Sequence, residues 1–431
     1  MKRYPKYKDS GVPWLGQIPS HWQVKKLKRA FSEISDKAKP GDEQLAATQK
    51  FGVISQSQFM KEQDQKLVLA LKGTDNFKHL EKDDFVISLR AFEGGIERSS
   101  QSGCVSPAYT VLRSKGEVSP GFAARLLKTP EFISQISMTY DGIREGKAIK
   151  FKDAGPVPLP IPPSSEQSAI TSFIDGVIFK MDSAIASQER MIELLKERRS
   201  AIITQAVTKG LDSKVKMKDS GVPRLGLIPE KWEAIPLRYL GRLNGGAGFP
   251  DDEQVGRDGD INFFKVKHLG AADSAGCMTD SDNSICEEKA KRLGAYIFKP
   301  GTILFAKVGA ALLLNRFRMS DARCCADNNM MGFEPDERKV TSEFCCYAMH
   351  MIDFSDIVNP GTVPSINERQ VSSISIPVPS LPEQFLIVNR LRKALSDLDD
   401  LSSRAAKCVN LLKERRSAII TLAVTGQIDV R

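Results

Sequence analysis

Apolar side chains recur along this chain in two rhythms, one of them helical and written twice. From Glu166 to Thr208, and again from Glu383 to Thr425, 43 residues pass without a proline. In the first run Ile178, Met181, Ile185, Gln188, Ile192, Leu195, Arg199, Ile202 and Ala206 are separated by alternating steps of three and four. The second run repeats the spacing with Leu395, Leu398, Ser402, Ala405, Val409, Leu412, Arg416, Ile419 and Ala423. Such spacing keeps side chains on one stripe of an α-helix and forms the seam of a coiled coil. The polar members of the seam fix register at some cost in stability. Ser165-Glu166-Gln167 and Pro382-Glu383-Gln384 mark the starts, since serine caps a helix and proline suits its first turn. Each helix would extend roughly 65 Å at 1.5 Å per residue. Two equal heptad helices, each following its own globular segment, pair most naturally antiparallel.

The second rhythm is strand-like and fills the segments before each helix. Asp84 to Leu89 and Val105 to Leu112 read as strands, and Gly121 to Ser137 reads as a helix with Phe122, Leu126, Phe132 and Ile136 on one face. Further on, Thr302 to Lys307 reads as a strand, Met330 to Phe333 as an apolar segment, and Ser342 to Ile352 as a helix. Each segment closes on a proline-punctuated stretch, Val157 to Pro163 and Ile374 to Pro379, which favours extended chain and forbids helix.

The frame around these segments is duplicated while their bodies diverge. Lys8-Asp-Ser-Gly-Val-Pro-Trp-Leu-Gly-Gln-Ile-Pro-Ser-His-Trp22 recurs from Lys218 to Trp232 at a constant register of 210, with 11 of 15 positions identical. Leu194 to Thr208 recurs as Leu411 to Thr425 at a register of 217 with one mismatch, Gln205 against Leu422. The expected fold class is therefore α+β with a pseudo-twofold internal repeat. Two mixed α/β bodies, residues 1–163 and 216–380, are separated by two long antiparallel coiled-coil helices within 164–215 and 381–431.

Composition narrows the function classes. No stretch approaches the roughly 18 apolar residues that cross a bilayer, and Met1 to Ser10 lacks the apolar core of a secretory signal, so a cytoplasmic protein without a membrane partner is expected. Eight cysteines show no Cys-x-x-Cys spacing, which points to reduced thiols and no metal site. The net charge of +9 suggests a polyanionic partner. That charge is unevenly placed: residues 20–157 hold 22 Lys and Arg against 17 Asp and Glu, but residues 233–376 hold 16 against 20. Local clusters must carry any case for nucleic acid. Gly245-Gly-Ala-Gly248 lacks the Lys-Ser/Thr of a phosphate loop. Asn359-Pro360 is followed by Gly-Thr rather than the Pro-aromatic pair used on a flipped base, and no catalytic constellation is found.

The frame segments Gly11-Val-Pro-Trp-Leu-Gly-Gln-Ile-Pro with Trp22, Pro160-Ile-Pro-Pro-Ser-Ser-Glu-Gln167, and Leu195-Lys-Glu-Arg-Arg-Ser-Ala-Ile-Ile-Thr204 with its second copy resemble those of type I restriction-modification specificity subunits. One departure is Ser164-Ser165, where the second copy has Leu381-Pro382, the commoner family form. The resemblance implies two target-recognition domains, each reading one half of a split double-stranded DNA target, with the helices setting the distance between halves. It also implies docking of methyltransferase subunits and of restriction/translocase subunits. S-adenosylmethionine, ATP and magnesium then belong to those partners, and the chain itself needs no cofactor and is no enzyme. A self-contained methyltransferase or nuclease would need a further catalytic domain, and a scaffold binding only protein is the other alternative.

Base edges are read by side chains that form paired hydrogen bonds, while phosphate contacts position the protein. In the first body the candidates are Arg90, Arg98, Ser99 and Gln101, around two adjacent glycines, then Tyr109, Arg144, Lys147 and Lys150. In the second they are Lys307 with Asn315, Arg316 and Arg318, the pair Asn328-Asn329, and Thr362, Ser365 and Asn367 in one loop. Lys265 and Lys267 alternate with Val266, which places both on one strand face. Lys291, in the mixed-charge run Glu287 to Arg292, reads as a solvated helix face.

Overall fold

The computed structural model describes the chain apart from residue 1 and residues 49–51, 64–75, 89–94, 140–148, 213, 251–255, 257–258, 271–275 and 360. In the first body the two ends meet: Gln23–Lys26 pairs antiparallel with Pro158–Ile161, so the proline-punctuated stretch is one strand of a two-stranded ribbon. A two-stranded ribbon tolerates proline because only one side of each strand needs donors. Between these ends lies an antiparallel sheet in the order Phe31–Ile34, Thr110–Ser114, Phe85–Ile87, Glu97–Arg98. Phe31, Phe85, Leu112, Phe122 and Phe132 are fully buried beneath it. The single strand expected over Val105 to Leu112 is two, Gly103–Val105 and Thr110–Ser114, divided by a turn after Pro107. The single helix expected over Gly121 to Ser137 is also two, Pro120–Leu126 and Pro130–Met138. Pro130 has no N–H to continue the first helix, and Thr129 instead caps the second by accepting from the Phe132 amide. The apolar face is kept across the break, with Phe122, Leu126, Phe132 and Ile136 all buried.

The second body repeats this plan with different residues. Glu233–Pro236 pairs with Ser375–Val378, and the main sheet runs Gly241–Gly245, Met330–Pro335, Ile303–Ala306, Arg318–Ser320, Cys277–Met278. Its first four strands follow the same order as the sheet of the first body. A small sheet of Ser284–Ile285, Ile261–Phe264 and Cys324–Ala326 is added. Trp232, Phe305, Phe317, Phe333 and Phe344 fill the core.

The long helices are Ser164–Lys209 and Leu381–Val424, 46 and 44 residues. All eighteen seam positions are buried or half-buried. The chain divides into two units, Met1–Gln188 with Cys408–Arg431, and Glu189–Lys407. In the first, Ile170 and Ile174 share a core with Ala423 and Val424; in the second, Ile203 and Val207 share one with Ile387 and Leu391. Each unit therefore pairs the start of one long helix with the end of the other. The polar seam members fix that register: Arg199 meets Asp399 at 2.8 Å in one unit, and Arg416 meets Asp182 in the other. The two pairs are the same pair, related by the 217-residue repeat.

Candidate nucleic-acid interface

A buried glutamine locks each body to its long helix. Gln167 accepts the Ser119 N–H at 2.7 Å, and its amide nitrogen donates to the carbonyls of Glu117 and Pro162, each at 2.9 Å. Its repeat partner Gln384 accepts the Thr341 N–H at 2.8 Å and donates to the carbonyls of Lys339 and Pro379, each at 3.0 Å. One side chain thus satisfies the N-cap residue of the body's helix, the turn before it, and the extended stretch behind it. Glu166, next in sequence, is buried and gathers Trp22 Nε1 at 2.8 Å, the Tyr4 hydroxyl at 3.2 Å and His21 at 2.6 Å. The glutamine contacts recur in both copies and explain why a glutamine follows the prolines in each; the glutamate contacts are those of the first copy.

In the first body, Arg90, Arg144 and Lys147 lie outside the described residues. Arg98 is half-exposed at the sheet edge, where its Nε donates to Asp83 Oδ1 at 2.8 Å. Asp83 holds a left-handed backbone (φ 75°), a conformation that its short polar side chain tolerates. The expectation for Ser99 is corrected. It is fully buried, and its hydroxyl donates to the Gln101 carbonyl at 2.6 Å, so it supports the turn and does not reach a base. Gln101 is half-buried with its amide nitrogen enclosed. Tyr109 is half-buried as well, burial raises its hydroxyl pKa, and its carbonyl accepts from Lys78 at 2.7 Å. Lys150 is exposed just before the short helix Phe151–Ala154.

In the second body the expected residues fall into two groups. Lys307 directly follows the central strand Ile303–Ala306; its N–H donates to the Asn329 carbonyl at 2.8 Å and its carbonyl accepts the Ile366 N–H at 3.0 Å. That brings Lys307, the exposed turn Asn328-Asn329 and the loop of Thr362 and Ser365 into one neighbourhood. Asn367 is corrected to a structural role, because its side chain and that of Gln370 form a capping box at the helix Glu368–Ser372. The second group is Asn315, Arg316 and Arg318. Asn315 is also corrected: in a left-handed conformation (φ 48°), its amide donates to Asp353 and accepts the Phe354 N–H, both at 2.9 Å. Arg316 is exposed, and Arg318 is half-buried beside it. Lys265 and Lys267 do not share a strand face. The strand ends at Phe264, and Val266–Gly270 is a 3-10 turn in which His268 Nδ1 accepts the Lys265 N–H at 2.8 Å. Lys267 is paired with Asp282. Lys291, the solvated position, is exposed and 3.3 Å from Glu287 one turn earlier.

Residues 229–406 match the family model described as the type I restriction modification DNA specificity domain. Along nearly its whole length the chain is similar to a putative type I restriction enzyme MjaX specificity subunit of Methanocaldococcus jannaschii, 21% identical and covering 97% of this chain and 96% of that one. Its second half thus matches the type I specificity domain, and the chain as a whole is similar to type I specificity subunits. The StySPI specificity subunit of Salmonella potsdam is 23% identical over 74% of this chain and 68% of its own length. The fold is shared with a chain of a solved structure concerned with complex assembly and conformational transition of the type I R-M system. There the TM-score is 0.70 at 14% identity, covering 94% of this chain and 98% of that one.

The informative residues include several that the sequence pattern did not single out. Gln167 and Gln384 stood only as part of a helix start, because one buried amide joining three backbone groups leaves no periodic trace. Arg392 and Glu343 were not among the sequence candidates, and they pair beside Arg318 in the second body. Comparing the two copies position by position finds them, but only once the strands of the divergent bodies have been matched.

Proposed function

We propose that the chain is the DNA-reading, non-catalytic subunit of a cytoplasmic type I restriction-modification enzyme, each body reading one half of a bipartite double-stranded target. The observation that carries this reading is a shared scaffold with unshared surfaces. Both bodies keep one strand order and one glutamine lock, while their sequences between the repeated frame segments diverge. A frame of that kind lets reading surfaces vary without disturbing assembly. Arg98, Gln101, Tyr109 and Lys150 in the first body, and Lys307, Asn328, Asn329, Thr362, Ser365, Arg316 and Arg318 in the second, are the candidates for DNA contact. Methyltransferase and restriction/translocase subunits would dock on the frame and bring S-adenosylmethionine, ATP and magnesium with them. No helix among the described residues is long and apolar enough to cross a membrane.

The test is an exchange of residues 24–156 for the first body of another specificity subunit, followed by methylome sequencing of a host carrying the complete system. One half of the methylated motif should change and the other should stay. A change in both halves would sink the modular reading.

A further inference from the structure

At one place in the fold the two bodies carry opposite charge. In the first body Glu97 is buried on the edge strand, opposite Val86, and its carboxylate takes Lys128 at 2.8 Å. Nearby, Arg125 of the capped helix meets Asp175 of the long helix at 2.6 Å. Both cations there are neutralised by carboxylates of the same body and frame.

The strand registers make Arg318 the counterpart of Glu97. Arg318 faces Leu304 as Glu97 faces Val86, and Val86 and Leu304 take the same position against the next strand, opposite Val111 and Gly332. Counting from the caps Ser119 and Thr341, Lys128 is matched by His350; along the long helices, Asp175 is matched by Arg392. Each carboxylate of the first body is an arginine in the second. These arginines open onto a cleft of about 520 Å³, joined by Arg316 and Arg199. Arg199 and Arg392 are held by Asp399 and Glu343. Among the described residues, Arg316 and Arg318 have no carboxylate partner. Arg318 donates only to the Phe317 carbonyl, at 2.8 Å, and its Nε is buried without an acceptor. Burial, and the positive charge of Arg316 and Arg199, hold its pKa below the usual arginine value. A half-buried cation left without an anion is costly, and the first body shows that this position can be neutralised internally. In the second body no described carboxylate does the same.

We propose that this cleft seats a phosphate group of the DNA backbone, gripped by Arg316 and Arg318 and backed by Arg392 and Arg199. Guanidinium forks match phosphate oxygens in pairs and stay charged at any working pH. The second body as a whole is acidic, with 16 Lys and Arg against 20 Asp and Glu between residues 233 and 376. A polyanion therefore needs a local positive seat there, and the unpaired arginines supply it. The proposal rests on the DNA-reading function above.

The experiment uses the full chain assembled with its methyltransferase subunits, with Arg316→Gln and Arg318→Gln made singly. Duplexes with the cognate and a scrambled target are titrated across a series of salt concentrations, and assembly is followed by size. Removing an arginine that grips phosphate should weaken binding to both duplexes alike and lower the slope of log affinity against log salt by about one. Arg316 is exposed, so its variant tests the grip even where Arg318→Gln perturbs folding. An unchanged slope with unchanged affinity overturns the proposal. Loss of assembly with an unchanged slope overturns it in favour of an acidic protein segment. Stabilisation of the wild type by inorganic phosphate, absent in the variants and without any DNA effect, overturns it in favour of a free anion. A wild-type complex that does not prefer the cognate duplex would refute the recognition function itself, and that is seen before any variant is made.

Discussion

Replacing Gln384 by methionine keeps the side chain's length and volume but removes every polar contact of the lock on the second body. Three backbone groups are then left without partners: the Thr341 N–H and the carbonyls of Lys339 and Pro379, which lie at 2.8, 3.0 and 3.0 Å in the intact protein. A buried group left unsatisfied costs about 1–3 kcal/mol, so three of them, partly relaxed, should destabilise the unit by about 3–6 kcal/mol. That is a large share of the roughly 5–15 kcal/mol that holds a domain folded. Urea titration should show a lowered midpoint with little change in slope. Amide hydrogen exchange adds a local reading, because the Thr341 N–H should lose protection while the Ser119 N–H of the other unit keeps it. Gln384→Glu is the companion variant: it can still accept from Thr341 but turns an acceptor toward both carbonyls, and it should be no better than methionine. In a complete restriction-modification system, Gln384→Met should weaken methylation without altering which bases are methylated, since the lock touches none of the candidate reading residues. A loss below about 1 kcal/mol, with Thr341 protection intact, would refute the view that this amide fastens the body to the helix.

Three further outcomes can be checked. One heptad inserted after Arg190 and one after Lys407 leaves the Asp182–Arg416 and Arg199–Asp399 pairs in register and adds about 10.5 Å of helix; the spacer of the methylated motif should lengthen by about three base pairs, and an unchanged spacer would remove the helices as its ruler. Of the eight cysteines, Cys408 is exposed whereas Cys104, Cys324, Cys325, Cys345 and Cys346 are buried, and burial raises the pKa of each of these five thiols. Brief alkylation of the native chain near pH 8, read by mass spectrometry, should therefore mark Cys408 and spare those five, and early labelling of Cys345 would contradict the packed second core. Arg98→Ala should cost about 1–3 kcal/mol of cognate binding and less on scrambled DNA, with Lys291→Ala nearly silent as the control; equal losses on both duplexes would make Arg98 a phosphate contact.

The helices and the repeat were legible in the sequence because they rest on period. A seam of alternating threes and fours needs no knowledge of its partner, and the polar members Arg199 and Arg416 already marked where register would be fixed. The bodies were legible only in part. Local strand and helix patterns survived, but Thr129-Pro130 broke a helix that periodicity alone would continue, since a missing N–H outweighs an apolar stripe. Lys265 and Lys267 alternated like a strand, yet the 3-10 turn over Val266–Gly270, with its imidazole–amide bond, redirected both. The candidate readers fared unevenly for a similar reason. Asparagine, serine and arginine recommend themselves for base contact by their hydrogen-bonding capacity, and that same capacity lets Asn315, Asn367 and Ser99 stabilise loops. Residue type states what a side chain can bind, and only the surrounding backbone decides whether the bond is already made. The arginines of the second body's cleft show the converse. Arg318 and Arg392 became informative when matched with Glu97 and Asp175, because an internal repeat supplies its own control: at the edge-strand position one copy pairs its charge, Glu97 with Lys128, and the other leaves Arg318 without a carboxylate.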